Sequence, residues 1–249
     1  MPGSPTSPFP PGSVALVGAG PGDADLLTLR AIQRLQAAEV VLYDDLAGED
    51  FMSFVNSEAE LVAVGKRAGH PSPKQDEVSR LIVAYARAGK RVVRLKAGDP
   101  TIFARSDEEL RALRDVGITV EIVPGITTAT GAAAALGASL TKRGVARRVQ
   151  LVTGHDVDGR LPGDLDIAAL ADPAATTCIY MGKATFPALV ERLLAEGLDP
   201  STPAAVVESL GSPEMRVVRG SVVEIARQLA AERPHGACMI IYGFALAQV

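Results

Sequence analysis

The chain has 249 residues, 47% of them hydrophobic and 22% charged, a balance that supplies a real core for one large domain or two small ones. Its formal net charge of -4 excludes the strongly basic footprint of a nucleic-acid binder, so an acidic ligand must be met by a local cluster of cations. Two cysteines exclude a disulfide framework, and no apolar stretch approaches the ~20 residues that a membrane helix needs.

Residues 1–13 hold five of the 17 prolines and few core formers, which reads as a disordered tail with order beginning at Val14. This opening lacks a basic start followed by an apolar segment, so no secretory signal is expected and a cytoplasmic location is. Residues 14–17 are a short apolar run ending in glycine, as in a buried parallel strand. Leu26, Leu29, Ile32 and Leu35 have helical spacing, so a helix is predicted over 26–38 with Asp23 or Asp25 as its cap. Strands follow over 40–43 and 61–64, then a helix over 76–88 closed by Gly89. A strand over 91–95 runs straight into Lys96-Ala97-Gly98-Asp99-Pro100. A helix over 107–116 stops at Gly117, and a strand over 120–123 stops at Pro124-Gly125. This alternation predicts a mostly parallel sheet with helices on its faces.

The second half continues with a small-residue helix over 127–140, strands over 149–152, 177–180, 204–207 and 237–242, and helices over 186–196 and 222–231. The pattern passes from one α/β unit to another near 123–127. The expected architecture is therefore two α/β lobes, 14–125 and 126–249, with the cleft between them as the default ligand site.

Three breaks at strand ends carry the chemistry. Gly18-Ala19-Gly20-Pro21-Gly22-Asp23 joins a strand to a helix, as nucleotide-binding glycine loops do. Asp23 stands where the dinucleotide fingerprint requires glycine, and the loop is no GxxxxGK[ST] phosphate cradle either. Gly20 and Gly22 allow a ligand to approach the backbone, although a plain tight turn needs the same residues. The second break, at residues 96–100, places Asp99 at a strand's C-terminal end, where ligands lie in open α/β sheets. There its carboxylate can accept from a ribose or an amino group. The third is Pro124-Gly125-Ile126-Thr127-Thr128. His70, His155 and His235 have no metal-ligand spacing, and neither a Ser/His/Asp set nor a cysteine nucleophile is present.

These segments occur in order with Leu26-Leu27-Thr28, Tyr43-Asp44, Gly65-Lys66-Arg67, Ser72-Pro73-Lys74-Gln75, Arg94-Leu95-Lys96, Val152-Thr153-Gly154-His155 and Tyr180-Met181-Gly182. Together they resemble the tetrapyrrole methylase family over about residues 14–243. The 65–67 and 72–75 segments are closer to its uroporphyrinogen branch. The resemblance implies a homodimer that binds S-adenosylmethionine in a folded shape between two lobes. It implies C-methylation of uroporphyrinogen III at C2 and C7, giving precorrin-2 and S-adenosylhomocysteine for siroheme or cobalamin synthesis. By matching position, the cofactor would touch Pro21, Ala97, Gly98, Asp99, Ile102, Thr127, Thr128 and Met181. Asp44 matches a proton acceptor, Lys66 a proton donor and Arg105 a further catalytic, substrate-contacting arginine. Arg67, Glu108 and Arg143 fall among the substrate contacts, with no metal, membrane or nucleic acid involved.

The chemistry agrees with these residue types. Carboxylates of the macrocycle pair with arginine and lysine, and Lys66, Arg67, Arg105, Lys142, Arg143, Arg147 and Arg148 supply them in an otherwise acidic chain. A proton leaves the ring after methylation, which calls for a base such as Asp44. The family's Gly-Gly-Asp-Pro is Ala97-Gly98-Asp99-Pro100 here, and its Gly-Arg-Gly-Gly-Glu-Glu is Ala104-Arg105-Ser106-Asp107-Glu108-Glu109. The alternatives are a methylase of a later precorrin and a protein that keeps the cofactor pocket without turnover.

Overall fold

The computed structural model describes residues 8–48, 50–65, 75–232 and 234–247. The chain divides into two compact units between Thr127 and Thr128.

The first unit runs β1 (Val14–Gly18), α1 (Leu29–Ala37), β2 (Val40–Tyr43), β3 (Glu60–Ala63), α2 (Gln75–Arg87), β4 (Val92–Lys96), α3 (Ser106–Arg114) and β5 (Val120–Val123). Its sheet has the order β3-β2-β4-β1-β5, with every pair parallel. Successive residues of β1 point to opposite faces and both faces are covered, so the whole strand is apolar. Ala15 and Val17 pack with Leu35 of α1 and Val41 of β2, whereas Val14 and Leu16 pack with Ile82 of α2 and Leu113 of α3.

Two expectations need correction here. The helix expected from residue 26 begins at Leu29, because residues 24–26 form a separate 3-10 turn. Its cap is Thr28, whose hydroxyl accepts from the Ala31 N–H, and Asp23 makes no side-chain cap bond. Order also precedes Val14. The Ser13 hydroxyl donates to the Pro10 carbonyl at 2.6 Å, and the Gly12 N–H donates to Lys90 O at 3.2 Å. Phe9 packs on the α1 side of the core with the Arg34 guanidinium 5.2 Å from its ring centre. Aromatic packing and a cation–π contact hold Phe9, within residues 8–13, where composition alone predicts a tail.

The second unit runs α4 (Thr128–Leu136), β6 (Arg148–Thr153), α5 (Ile167–Leu170), β7 (Ala175–Tyr180), α6 (Phe186–Ala195), β8 (Pro203–Glu208), β9 (Arg216–Ser221), α7 (Val222–Ala231) and β10 (Cys238–Tyr242). Its sheet has the order β6-β7-β10-β8-β9, and only β6 and β7 pair in parallel. The expectation of a mostly parallel sheet therefore holds for the first unit and not for the second. Gly137, at a φ of +64°, ends α4 earlier than expected, since left-handed geometry is open to glycine. Phe186, Leu189 and Leu193 of α6 pack with Ile225 and Leu229 of α7 in one apolar cluster. Among the described residues no helix is long and apolar enough to cross a membrane.

Candidate functional site

In the first unit β4, β1 and β5 are parallel neighbours, so the loops that follow them emerge side by side at their C-terminal ends. Gly20 and Gly98, both at positive φ, exchange two backbone bonds of 3.2 and 2.7 Å. A Cβ on Gly18 would lie 2.6 Å from Gly125 N and 2.6 Å from Gly98 O, so the three loops meet backbone to backbone. Asp99 is buried beneath this junction. Its Oδ1 accepts from the Thr101 N–H at 2.7 Å and the Thr101 hydroxyl at 2.5 Å, and its Oδ2 accepts from the Gly125 N–H at 3.0 Å. A carboxylate has about four lone-pair sites, which leaves one of them on Oδ2 for a ligand. Holding the loops is therefore the larger share of what Asp99 does. Pro21, Ala97 and Ile102 are half-buried around the junction.

The loop after Pro100 places two non-glycine residues in left-handed geometry, Phe103 at a φ of 51° and Arg105 at 54°. Arg105 precedes α3 directly and makes a two-pronged bond to Glu108, with Nε to Oε1 at 2.7 Å and Nη2 to Oε2 at 2.9 Å. The Arg105 side chain is largely in solvent and that of Glu108 is partly covered.

Beside the loops lies a buried network of charge. Arg94 and Lys96 are two residues apart on β4 and so share one face, where each is 3% exposed. Glu109 of α3 is fully enclosed and serves both, accepting from Arg94 Nε at 3.1 Å and from Lys96 Nζ at 2.8 Å. Gln75 Nε2 adds a bond of 3.0 Å to the same carboxylate. Arg94 Nη2 reaches outward to Asp44 Oδ1 at 2.6 Å, and the Asp44 side chain is 32% exposed. Burial, with Arg94 alongside, pushes the Lys96 ammonium below its ordinary range, while Glu109 and Asp44 oppose this.

In the second unit the ends of β6 and β7 are neighbours. The Gly154 N–H donates to Tyr180 O at 2.7 Å, and Gly154 and Gly182 approach so closely that a Cβ on Gly154 would lie 2.5 Å from Gly182 Cα. Met181 has a φ of 55° and is 43% exposed. Its carbonyl lies 3.0 Å from His155 Nδ1, and because a carbonyl only accepts, that nitrogen carries the proton. The Ala129 N–H donates to the Tyr180 hydroxyl at 3.3 Å, which ties the start of α4, and Thr128 with it, to the end of β7. Arg143 is exposed in the segment between α4 and β6.

Residues 13–226 match the family described as tetrapyrrole (corrin/porphyrin) methylases. The chain belongs to the tetrapyrrole methylase family. It is 48% identical over 233 residues to a siroheme synthase of Tolumonas auensis, covering 93% of this chain and 49% of that protein. It is 42% identical to the chloroplastic S-adenosyl-L-methionine-dependent uroporphyrinogen III methyltransferase of Arabidopsis thaliana, over 94% of this chain and 63% of that protein. The chain thus spans about half the length of the siroheme synthases it matches. Uroporphyrin-III C-methyltransferase from Thermus thermophilus, solved with S-adenosyl homocysteine, aligns with a TM-score of 0.80 at 38% identity, covering 94% of this chain and 98% of that one. A cobalt precorrin-4 methyltransferase aligns with a TM-score of 0.83 at 29% identity, over 94% and 96% of the two chains.

Of the residues that the resemblance to tetrapyrrole methylases singles out, the first unit brings Pro21, Ala97, Gly98, Asp99 and Ile102 to one end of its sheet. Asp44 joins them at the end of β2, the neighbour of β4. Arg105 and Glu108 are paired at the start of α3, and Thr127 closes the unit. Thr128, Met181 and Arg143 belong to the second unit. Lys66 and Arg67, the other two expected site residues, lie outside the described residues, as does His70. Arg94, Lys96 and Glu109 were missed as site residues. The available signal was the spacing of Arg94 and Lys96, two residues apart where a strand of a mostly parallel sheet ends, since such strands are covered on both faces and charges there need a partner.

Proposed function

We propose that this tetrapyrrole methylase transfers methyl groups from S-adenosylmethionine to C2 and C7 of uroporphyrinogen III, giving precorrin-2. The observation that carries this reading is the junction of Gly18, Gly98 and Gly125 beside the Arg94–Asp44 pair, in a chain so similar to the uroporphyrinogen methyltransferases. The junction fits the cofactor. It combines the close Gly20–Gly98 backbone pair with half-buried Pro21, Ala97 and Ile102 and a lone pair on Asp99 Oδ2. Thr127 lies next along the chain, and Thr128 and Met181 are assigned the same role by resemblance.

S-adenosylmethionine, when bound, supplies an electrophilic methyl group and leaves as neutral S-adenosylhomocysteine. The ring that gains the methyl is left with a positive charge and must lose a proton. Asp44 is the proton acceptor of this reading, held by Arg94 at the rim of the buried network. Lys66 is the proton donor. Arg105, paired with Glu108 by two bonds, and Arg67 and Arg143 are the cations for the substrate carboxylates, as arginine matches a carboxylate with two parallel N–H bonds. The finer reading includes a homodimer in the cytoplasm.

A methylase of a later precorrin is the second reading, favoured by the TM-score of 0.83 to the precorrin-4 enzyme. Mass analysis after anaerobic incubation with uroporphyrinogen III and S-adenosylmethionine separates the two. A doubly methylated product is expected. Calorimetric binding of S-adenosylhomocysteine with no methylated product would overturn the substrate assignment.

A further inference from the structure

We propose that Glu109 is the positioning residue of Asp44, acting through Arg94. This rests on the reading of Asp44 as the proton acceptor. Glu109 is fully enclosed and cannot touch a substrate, whereas the Asp44 side chain is 32% exposed. The Arg94 guanidinium between them is anchored at three points. Nε donates to Glu109 Oε1 at 3.1 Å, Nη1 to the Leu95 carbonyl at 2.9 Å and Nη2 to Asp44 Oδ1 at 2.6 Å. A guanidinium is planar and rigid, so fixing Nε and Nη1 fixes the direction in which Nη2 presents its proton. Glu109 is itself fixed, by Lys96 Nζ at 2.8 Å and Gln75 Nε2 at 3.0 Å. The position of Asp44, at the end of β2, is thereby set from α3 through β4. Two cations and two carboxylates balance in the network. A buried ion pair adds little net stability over apolar side chains of similar volume, so stability alone does not require this one.

The test is a double-mutant cycle in the full chain, with kcat, KM and S-adenosylhomocysteine affinity measured for Asp44→Asn, Glu109→Gln and the pair. Asp44→Asn is expected to lower kcat by roughly 10²–10⁴-fold, the usual contribution of a general base. Glu109→Gln is expected to lower kcat by about tenfold or more, because small misplacements of a reacting group are costly. KM and S-adenosylhomocysteine affinity should stay near the parent's. In the Asp44→Asn background the same change should cost less than about twofold, since residues that act as a unit are not additive. An equal loss in both backgrounds overturns the inference and leaves the base assignment standing. An Asp44→Asn protein with the parent kcat overturns the base assignment itself. Circular dichroism checks folding. Should Glu109→Gln fail to fold, Lys96→Met/Glu109→Leu, which exchanges the buried pair for apolar side chains, takes its place in the cycle with the same outcomes.

Discussion

Gly18 and Gly125 face each other so closely that a Cβ on Gly18 would sit 2.6 Å from the Gly125 backbone nitrogen. Nothing flexible stands between them, because the obstacle on each side is main chain. Gly18→Ala is therefore expected to push the β1 and β5 loops apart and to destabilise the protein by about 1–3 kcal/mol, as overpacking does. It should also weaken S-adenosylhomocysteine binding more than the stability loss alone explains. Urea unfolding and calorimetric titration of the same preparation check this, and a Gly18→Ala protein that binds like the parent would show that the junction is not a cofactor wall.

Asp99 joins two of the same loops through Thr101 and Gly125. Replacing it with Asn turns one oxygen into an NH2 group facing donors that need an acceptor. Leaving buried N–H groups unsatisfied costs about 1–3 kcal/mol. Asp99→Asn is thus expected to lower the unfolding free energy by that order and to reduce S-adenosylhomocysteine affinity, because the order of the loop and the remaining lone pair on Oδ2 are lost together. Denaturant unfolding with and without S-adenosylhomocysteine reads both effects. Unchanged stability would contradict the hydrogen-bonding role.

The parallel core of the first unit was legible in the sequence because strands buried on both faces are continuous apolar runs, as in β1 and β2. The second sheet was less so. Cys238–Tyr242 is equally apolar whether it pairs parallel or antiparallel, and its direction is set by pairing with β7 and β8. β9, Arg216–Ser221, carries two arginines and a glycine and lies at the edge of the sheet, so its pattern resembles a loop. Glycines marked the loops that meet backbone to backbone, since close backbone approach has one residue signature. The network of Arg94, Lys96 and Glu109 was hidden because its partners lie on different elements, and only the fold brings α3 against β4.

The start of α7 gives a pH-dependent prediction remote from the site. The Ser221 hydroxyl accepts from the Glu224 N–H at 3.3 Å, and Glu224 Oε2 accepts from the Ser221 N–H at 2.7 Å, a reciprocal capping box. The Ser221 N–H, and then its hydroxyl, hold the Glu224 carboxyl below its ordinary 4.5. A carboxyl lowered in the folded state contributes stability above its unfolded value and loses it as pH falls through the folded value. Glu224→Gln should therefore lower thermal stability at neutral pH, and the gap from the parent should close on acidification below 4.5. Ser221→Ala should cost about 1 kcal/mol, the usual loss of an N-cap. Melting curves at several pH values check both, and a gap that is constant with pH would exclude the ionised box.

Arg105 and Glu108 allow stability to be separated from substrate recognition. Their two-pronged bond lies at the surface, with 62% of the Arg105 side chain and 37% of the Glu108 side chain exposed. Exposed pairs contribute about 0–1 kcal/mol, because water screens the charges and the side chains lose entropy. Arg105→Ala is expected to leave the unfolding midpoint almost unchanged. Glycine at this position should be tolerated as well, since the φ of 54° suits a residue without a Cβ. Turnover should respond differently. If Arg105 meets a carboxylate of the macrocycle, its loss removes a charge-assisted, two-pronged contact and raises KM for uroporphyrinogen III by about tenfold or more, on the scale of roughly 1.5–3 kcal/mol for such bonds. Affinity for S-adenosylhomocysteine should stay at the parent value. Lysine keeps the charge but loses the planar fork, so Arg105→Lys should recover only part of the loss. Steady-state kinetics on the three variants check this ordering, and an Arg105→Ala protein with the parent KM would remove Arg105 from the substrate site.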